Sequence, residues 1–172
     1  MIVISFDIGM TGAVAFVDRR SSLVVDLVTK PDGPMRERGG RPYQPMRLDG
    51  RALSNLLLSN IRPGMAALAV LENVRVRTTG NEGRPSGAHS EGALLRCRGA
   101  IETALDMLRI EVKAVEPQTW KRHFGLLTKP KDASREKALA LFPDSAAMLA
   151  RKRDHNRAEA LLLAQYGLTE LT

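Results

Sequence analysis

Ile2-Val3-Ile4-Ser5-Phe6-Asp7 runs directly into Ile8-Gly9-Met10-Thr11-Gly12 and then Ala13-Val14-Ala15-Phe16-Val17, and this opening decides how the chain is read. Two short apolar runs flank a glycine-bounded turn. A third, Leu23-Val24-Val25-Asp26-Leu27-Val28, follows the turn residues Asp18-Arg19-Arg20-Ser21-Ser22. Apolar, β-branched runs bounded by turn residues read as strands. Turns this short join antiparallel neighbours, so residues 2–28 are expected to form a three-stranded meander. The first strand ends on Asp7, and a carboxylate there is costly unless it is paired, hydrogen-bonded or bound to a metal.

Further on, the pattern changes. Pro31, Gly33, Pro34, Gly39, Gly40, Pro42 and Pro45 argue against a helix or a central strand in 29–48. Six basic against three acidic residues over 30–51 make this stretch an exposed, mobile basic loop. A helix is expected over 49–61, with Asp49 as its cap, Leu53, Leu56, Leu57 and Ile61 on one stripe, and Pro63-Gly64 as its stop. Residues 66–72 are a continuous apolar run ending in Glu72, as in a strand buried on both faces. A second glycine-rich loop covers 74–90, then a long helix 92–108 and a strand 111–115. Helices follow from Thr119, over 134–142 with Ser134 as cap, and over 156–166 with Gly167 as closure. The order β-β-β-α-β-α-β-α-α-α implies an α/β fold. Its sheet is mixed and five-stranded, three antiparallel strands and then two parallel, with helices on both faces.

Composition bounds the rest. The 172 residues suit about one domain, residues 1–172. Aromatics are 4% against 44% hydrophobic residues, so the core must be aliphatic. Lys and Arg number 26 and Asp and Glu 19, a net charge of +7 that favours a polyanionic partner, nucleic acid first. The lone Cys97 excludes an intramolecular disulfide and a cysteine-rich zinc site and reads as a packed helix residue. No apolar run approaches the ~20 residues that cross a bilayer, and the N-terminus lacks a basic leader, so the expectation is cytoplasmic with no membrane.

The acids form a constellation. If the strands ending at Asp7 and Glu72 are parallel neighbours, both carboxylates leave the same sheet edge, where ligands bind in open α/β sheets. Arg153-Asp154-His155-Asn156-Arg157-Ala158-Glu159-Ala160 adds candidates on the last helix. His155 and Glu159 share a face, whereas Asp154 joins them only if it precedes the regular helix. Ala158 and Ala160 let this helix approach the sheet. Three or four carboxylate or imidazole ligands without thiols suit Mg²⁺ or Mn²⁺. Two such ions about 3.5–4 Å apart can hold both the attacking water and the leaving oxygen of a phosphodiester. Taken singly, Asp7 could close a turn, Glu72 pair with an Arg, and Asp154 cap a helix; together, in this order, the acids favour a metal site.

Six segments resemble one family. They are residues 4–13 with Asp7; Val70-Leu71-Glu72-Asn73-Val74; Ser90-Glu91-Gly92; Val115-Glu116-Pro117-Gln118-Thr119-Trp120-Lys121; residues 132–143; and Arg157-Ala158-Glu159-Ala160-Leu161-Leu162-Leu163-Ala164. In that order they resemble the RuvC-like Holliday junction resolvases of the ribonuclease H-like superfamily, and most closely the bacteriophage branch. The resemblance implies a metal-dependent endonuclease that nicks symmetry-related strands of a four-way junction as a homodimer. It implies Asp7, Glu72 and Glu159 as metal ligands, His155 or Asp154 as the fourth, and Lys121 near the scissile phosphate. Two departures stand out: Glu159 replaces the Asp of many relatives, and Val74-Arg75-Val76-Arg77 lacks the aromatic residue that some place at the junction core.

Basic residues flank the expected site in three groups: Arg75, Arg77 and Arg84; Lys121, Arg122, Lys129 and Lys131; Arg151, Lys152 and Arg153. Arg75, Arg77, Arg84, Lys121, Arg122 and Lys152 are the DNA-binding candidates, and phosphate contacts from them would make binding steeply salt-dependent. Trp120 reads as a packing anchor, and His89 and His123 as structural. The opening also resembles the first phosphate loop of actin-like ATPases and sugar kinases. Those proteins close two domains over a nucleotide and use a second glycine-rich phosphate loop, so no nucleotide cofactor is expected here. Another ribonuclease H-like nuclease, cutting RNA–DNA hybrid or flap DNA, and a non-catalytic binder of branched DNA are the remaining alternatives.

Overall fold

Side chains alternate along β1 (Ile2–Asp7), and the alternation assigns each face of the sheet its helices. Ile2, Ile4 and Phe6 enter one buried cluster, Val3 another. The computed structural model describes residues 1–73, 88–130 and 132–172. In chain order the further strands are β2 (Ala13–Val17), β3 (Ser22–Asp26), β4 (Thr29–Pro31), β5 (Arg36–Arg38), β6 (Arg41–Tyr43), β7 (Met46–Leu48), β8 (Ala67–Glu72) and β9 (Glu111–Val115). The helices are α1 (Gly50–Asn60), α2 (Ala88–Met107), α3 (Pro117–His123), α4 (Asp132–Leu141) and α5 (His155–Glu170), with 3₁₀ turns at Pro143–Leu149 and Lys152–Asp154.

Among the described residues the main sheet has five strands in the order β3-β2-β1-β8-β9. β1, β2 and β3 are antiparallel neighbours, and β8 and β9 run parallel to β1, as the sequence order implied. One face packs against α1 and α2 through Ile4, Phe6, Leu71, Leu57 and Ile101. The other packs against α5 through Val3, Val70, Leu161 and Leu162. Asp49 caps α1 as expected, accepting from the backbone N–H groups of Arg51 and Ala52. No helix among the described residues is long and apolar enough to cross a membrane.

Ala158, Ala160, Leu161, Leu162, Leu163, Ala164 and Gly167 of α5 are all buried, so this helix is apolar nearly all round. Its small residues bring its backbone down onto β1 and β8. The buried Ser5 hydroxyl donates to the Ala160 carbonyl and ties strand to helix. Gly167 does not close the helix, which continues to Glu170. A Cβ at Gly167 would sit 2.6 Å from Val70 Cγ2 and 2.9 Å from Val3 Cγ1, so the glycine serves close packing.

Residues 29–48 are more ordered than expected of a loop. β4 pairs with β7 and β5 with β6 in two antiparallel ribbons separate from the main sheet. Gly39 (φ 60°) and Gly40 (φ 73°) form the two-residue turn between Arg38 and Arg41. Positive φ at both central positions marks the tight hairpin turn that matches strand twist. The prolines keep these strands off the main sheet without preventing short ribbons. Ser134 is likewise no cap: it lies inside α4, buried, and the α3 helix starts at Pro117.

Gly167→Ala is expected to destabilise the fold by about 1–3 kcal/mol through overpacking. Gly99→Ala, in open space on the exposed side of α2, should instead stabilise it by roughly 0.5–1 kcal/mol. Urea denaturation of both variants reads the contrast; equal effects would refute the close helix–sheet contact.

Candidate active site

Asp7 and Glu72 end neighbouring parallel strands. The register pairs Phe6 with Leu71, so the next residue on each strand is an acid. Both share the α5 face with Val3 and Val70. The turn after Asp7 is built tightly: a Cβ at Gly12 would stand 2.0 Å from the Asp7 carbonyl oxygen, and the Gly12 N–H donates to Gly9 O at 3.1 Å. The sequence Gly9-Met10-Thr11-Gly12 thus folds the chain back immediately beyond the acid.

Glu72 is held from two sides. The Trp120 indole N–H donates to Glu72 Oε1 at 2.7 Å, and the Arg98 guanidinium donates to the Glu72 carbonyl at 2.9 Å. Trp120 is fully buried in the middle of α3, and a buried indole needs an acceptor. The anchor read from the sequence is therefore also a hydrogen-bond donor to an acid, which composition alone could not show. The Lys121 ammonium lies 5.1 Å from the Trp120 ring centroid and 3.6 Å from Glu159 Oε2. Ser134 Oγ reaches Glu159 Oε1 at 3.5 Å.

Glu72, Glu159 and Lys121 are close enough to feel one another's charge. Burial pushes the Glu72 carboxyl above the ordinary carboxylate range; the Trp120 N–H and the Lys121 charge pull it down, and the Glu159 charge pushes it up further. Burial, with the Asp7 charge as a lesser cause, also raises the Cys97 thiol, whose Sγ faces the Gly9 carbonyl at 3.7 Å. Cys97 is thus packed beneath the turn that follows Asp7.

The start of α5 divides the remaining candidates. Asp154 is buried and clamped: its carboxylate accepts from the Arg151 backbone N–H at 2.8 Å and from the Arg151 guanidinium at 2.7 Å, and Arg157 lies 3.7 Å away. These hydrogen bonds and charges hold its pKa below the usual range. Arg157 also grips Asp26 of β3. Asp154 therefore serves a structural ion-pair network. His155 lies in the cleft that this network shares with Thr11, and no hydrogen bond or ion pair among the described residues engages its ring. Asn156, passed over in the sequence, donates through Nδ2 to the Thr11 carbonyl at 2.6 Å and anchors α5 on the Asp7 turn. It stands three residues before Glu159, a spacing that could have signalled it.

Among the described residues no three of His, Cys, Asp and Glu converge as a ready-made metal cluster. The donor chemistry still fits a hard cation: half-buried carboxylates that repel each other, with a lysine ammonium as the near positive charge. Arg122 and Lys152 are exposed, as DNA contacts require. Arg75, Arg77, Arg84 and Lys131 lie outside the described residues.

A solved structure of T. thermophilus RuvC in complex with a Holliday junction substrate superposes with a TM-score of 0.53 at 15% identity, covering 95% of this chain and 90% of that one. The chain has the RuvC fold. It is thus an α/β protein of ribonuclease H-like architecture. The chloroplastic Holliday junction resolvase MOC1 of Chlamydomonas reinhardtii is 48% identical over 50 residues, which are 28% of this chain and 6% of that protein. The chain therefore spans a small part of that relative's length. No protein-family model matches it. The partial relative is named a Holliday junction resolvase, and the RuvC of the solved structure is bound to a Holliday junction substrate.

The raised Glu72 carboxyl predicts a pH effect. A folded pKa above the unfolded one means that stability falls as pH rises from the ordinary carboxylate range through the raised value. In EDTA, Glu72→Gln should remove that fall and be more stable than wild type at neutral pH, since its amide oxygen still accepts from Trp120. Denaturation of both proteins at pH 4 and pH 8 gives the difference; parallel pH profiles would refute it.

Proposed function

We propose that this chain is a metal-dependent, structure-selective DNA endonuclease whose substrate is the four-way junction. The observation that carries this reading is that the charges of Glu159 and Lys121 act on Glu72, Lys121 pairs with Glu159 at 3.6 Å, and Asp7 ends the strand parallel to that of Glu72, in a chain with the RuvC fold. A pure DNA binder has no use for mutually repelling acids.

Asp7, Glu72 and Glu159 would hold two ions, Mg²⁺ or Mn²⁺, with His155 as the fourth ligand, because Asp154 is engaged by Arg151 and Arg157. Such ions supply Lewis acidity that acidifies the attacking water and offsets charge on the phosphate. Trp120 holds Glu72 in one orientation, and Ser134 supports Glu159. Lys121 turns from Glu159 to the scissile phosphate when DNA enters and stabilises its developing charge. In-line attack leaves a 5′-phosphate and a 3′-hydroxyl. Arg122, Lys152 and the Arg75, Arg77 and Arg84 group grip the flanking backbone. Residues 1–172 act as one nuclease domain, and two copies are needed for paired, symmetry-related nicks. The cytoplasm of a bacterial cell, or of a phage-infected host, holds such junctions and is where the enzyme works. The nearer likeness to bacteriophage members rests on the sequence motifs.

Cleavage of a labelled synthetic four-way junction in Mg²⁺ or Mn²⁺ tests the proposal. Paired nicks are expected, lost by at least on the order of a hundredfold in Asp7→Asn and by roughly 10–100-fold in Trp120→Phe, which keeps the ring but not the N–H. Cutting of an RNA–DNA hybrid alone, or tight junction binding without cleavage in either metal, would overturn it.

A further inference from the structure

The β5–β6 ribbon has two unlike faces. Cross-strand partners share a face, and the register pairs Arg36 with Tyr43 and Arg38 with Arg41. Three arginine positions and one tyrosine therefore occupy one side, and Glu37 and Pro42 the other. Arg36, Arg41 and Tyr43 are exposed, and among the described residues no carboxylate forms an ion pair with Arg36 or Arg41. Like charges directly opposite each other destabilise a strand pair, and an isolated two-stranded ribbon is marginal in water. Nothing in the fold alone rewards this arrangement.

The root of the ribbon is different. Asp32 pairs with Arg96 of α2 at 2.7 Å and with Arg47 of β7 at 3.6 Å. Lys30, opposite Arg47 in the register, pairs with Asp49 at 3.1 Å. A cleft lined by Met10, Met46, Arg96 and Cys97 joins this root to the turn after Asp7. Carboxylates at the root thus engage Lys30, Arg47 and Arg96, and Asp32 also feels the Arg36 charge, whereas Arg41 has no ion pair among the described residues.

We infer that the β5–β6 ribbon is an arm that binds the sugar-phosphate backbone of a duplex segment of the substrate. This rests on the DNA-cleaving reading above and adds a contact surface remote from the cleavage residues. Two residues of a strand span ~6.6 Å, comparable to the through-space separation of successive phosphates on one DNA strand, so positions 36 and 38 are spaced to follow a backbone. The phosphates supply counter-charge on the face that carries Arg36 and Arg41, opposite Glu37. Tyr43 adds a ring and a hydroxyl for sugar contacts beside Arg36.

The test is fluorescence anisotropy of a labelled four-way junction in EDTA, with the full chain, across a salt series. The triple variant Arg36→Ser, Arg38→Ser, Arg41→Ser should bind at least on the order of tenfold more weakly, with a log K against log salt slope shallower by about 2–3. Glu37→Ser, on the opposite face, should bind as well as wild type or more tightly. Thermal melting should show the triple variant folded, since the arm lies outside the main sheet. If wild type binds and the triple variant matches its affinity and slope, the arm proposal falls alone. If wild type binds neither junction nor duplex, the nuclease reading falls and takes the arm's ligand with it.

Discussion

The site depends on how closely α5 lies against β1 and β8. Ala158, Ala160, Ala164 and Gly167 remove the side-chain layer that normally separates a helix from a sheet. The Ser5 hydroxyl, fully buried, then reaches the Ala160 carbonyl and fixes the helix along its axis. A slide of one helical turn would carry the neighbouring Glu159 about 5.4 Å from its place beside Lys121 and Ser134. Helix packing, not loop geometry, therefore sets the distance between two of the candidate acids. The third, Asp7, is placed on the same strand as Ser5 and on the same face.

Two kinds of acid coexist within a few residues of α5. Asp154 is buried but compensated by two guanidiniums, an arrangement that orders the 3₁₀ turn and the start of the helix. Glu159 and Glu72 are less buried but poorly compensated, with one ammonium and one indole N–H near them. Burial alone singles out Asp154; residual charge singles out the other pair. Carboxylates left short of positive charge at a sheet edge are suited to a hard cation.

The same contrast runs through the cationic residues. Arg98 and Arg157 are consumed by the fold, one on Glu72's carbonyl and Glu102, the other on Asp26. Arg122, Lys152 and, on the projecting ribbon, Arg36 and Arg41 stay in solvent. The net charge of +7 thus divides into a structural and an available part, which composition cannot separate.

Local periodicity made much of the molecule legible. Alternation and turn residues placed the three-stranded meander, the acid at each strand end, the Asp49 cap and the helix carrying Glu159, because each is decided by neighbours within a few residues. Where a residue's role depends on distant chain, the local reading failed. Gly167 looked like a helix stop and is a contact with Val3 and Val70; Ser134 looked like a cap and faces Glu159. Gly39-Gly40 carried a hairpin signal that the surrounding prolines masked. The sequence by itself determined which residues stand at strand ends and on which helix the acids lie, since periods of 2 and 3.6 are properties of the backbone. Only the tertiary structure decided that Glu159 rather than Asp154 acts on Glu72, that Trp120 donates to Glu72 and that Lys121 pairs with Glu159. Those choices rest on helix rotation, close packing and charge compensation between residues 25 to 155 positions apart in the chain.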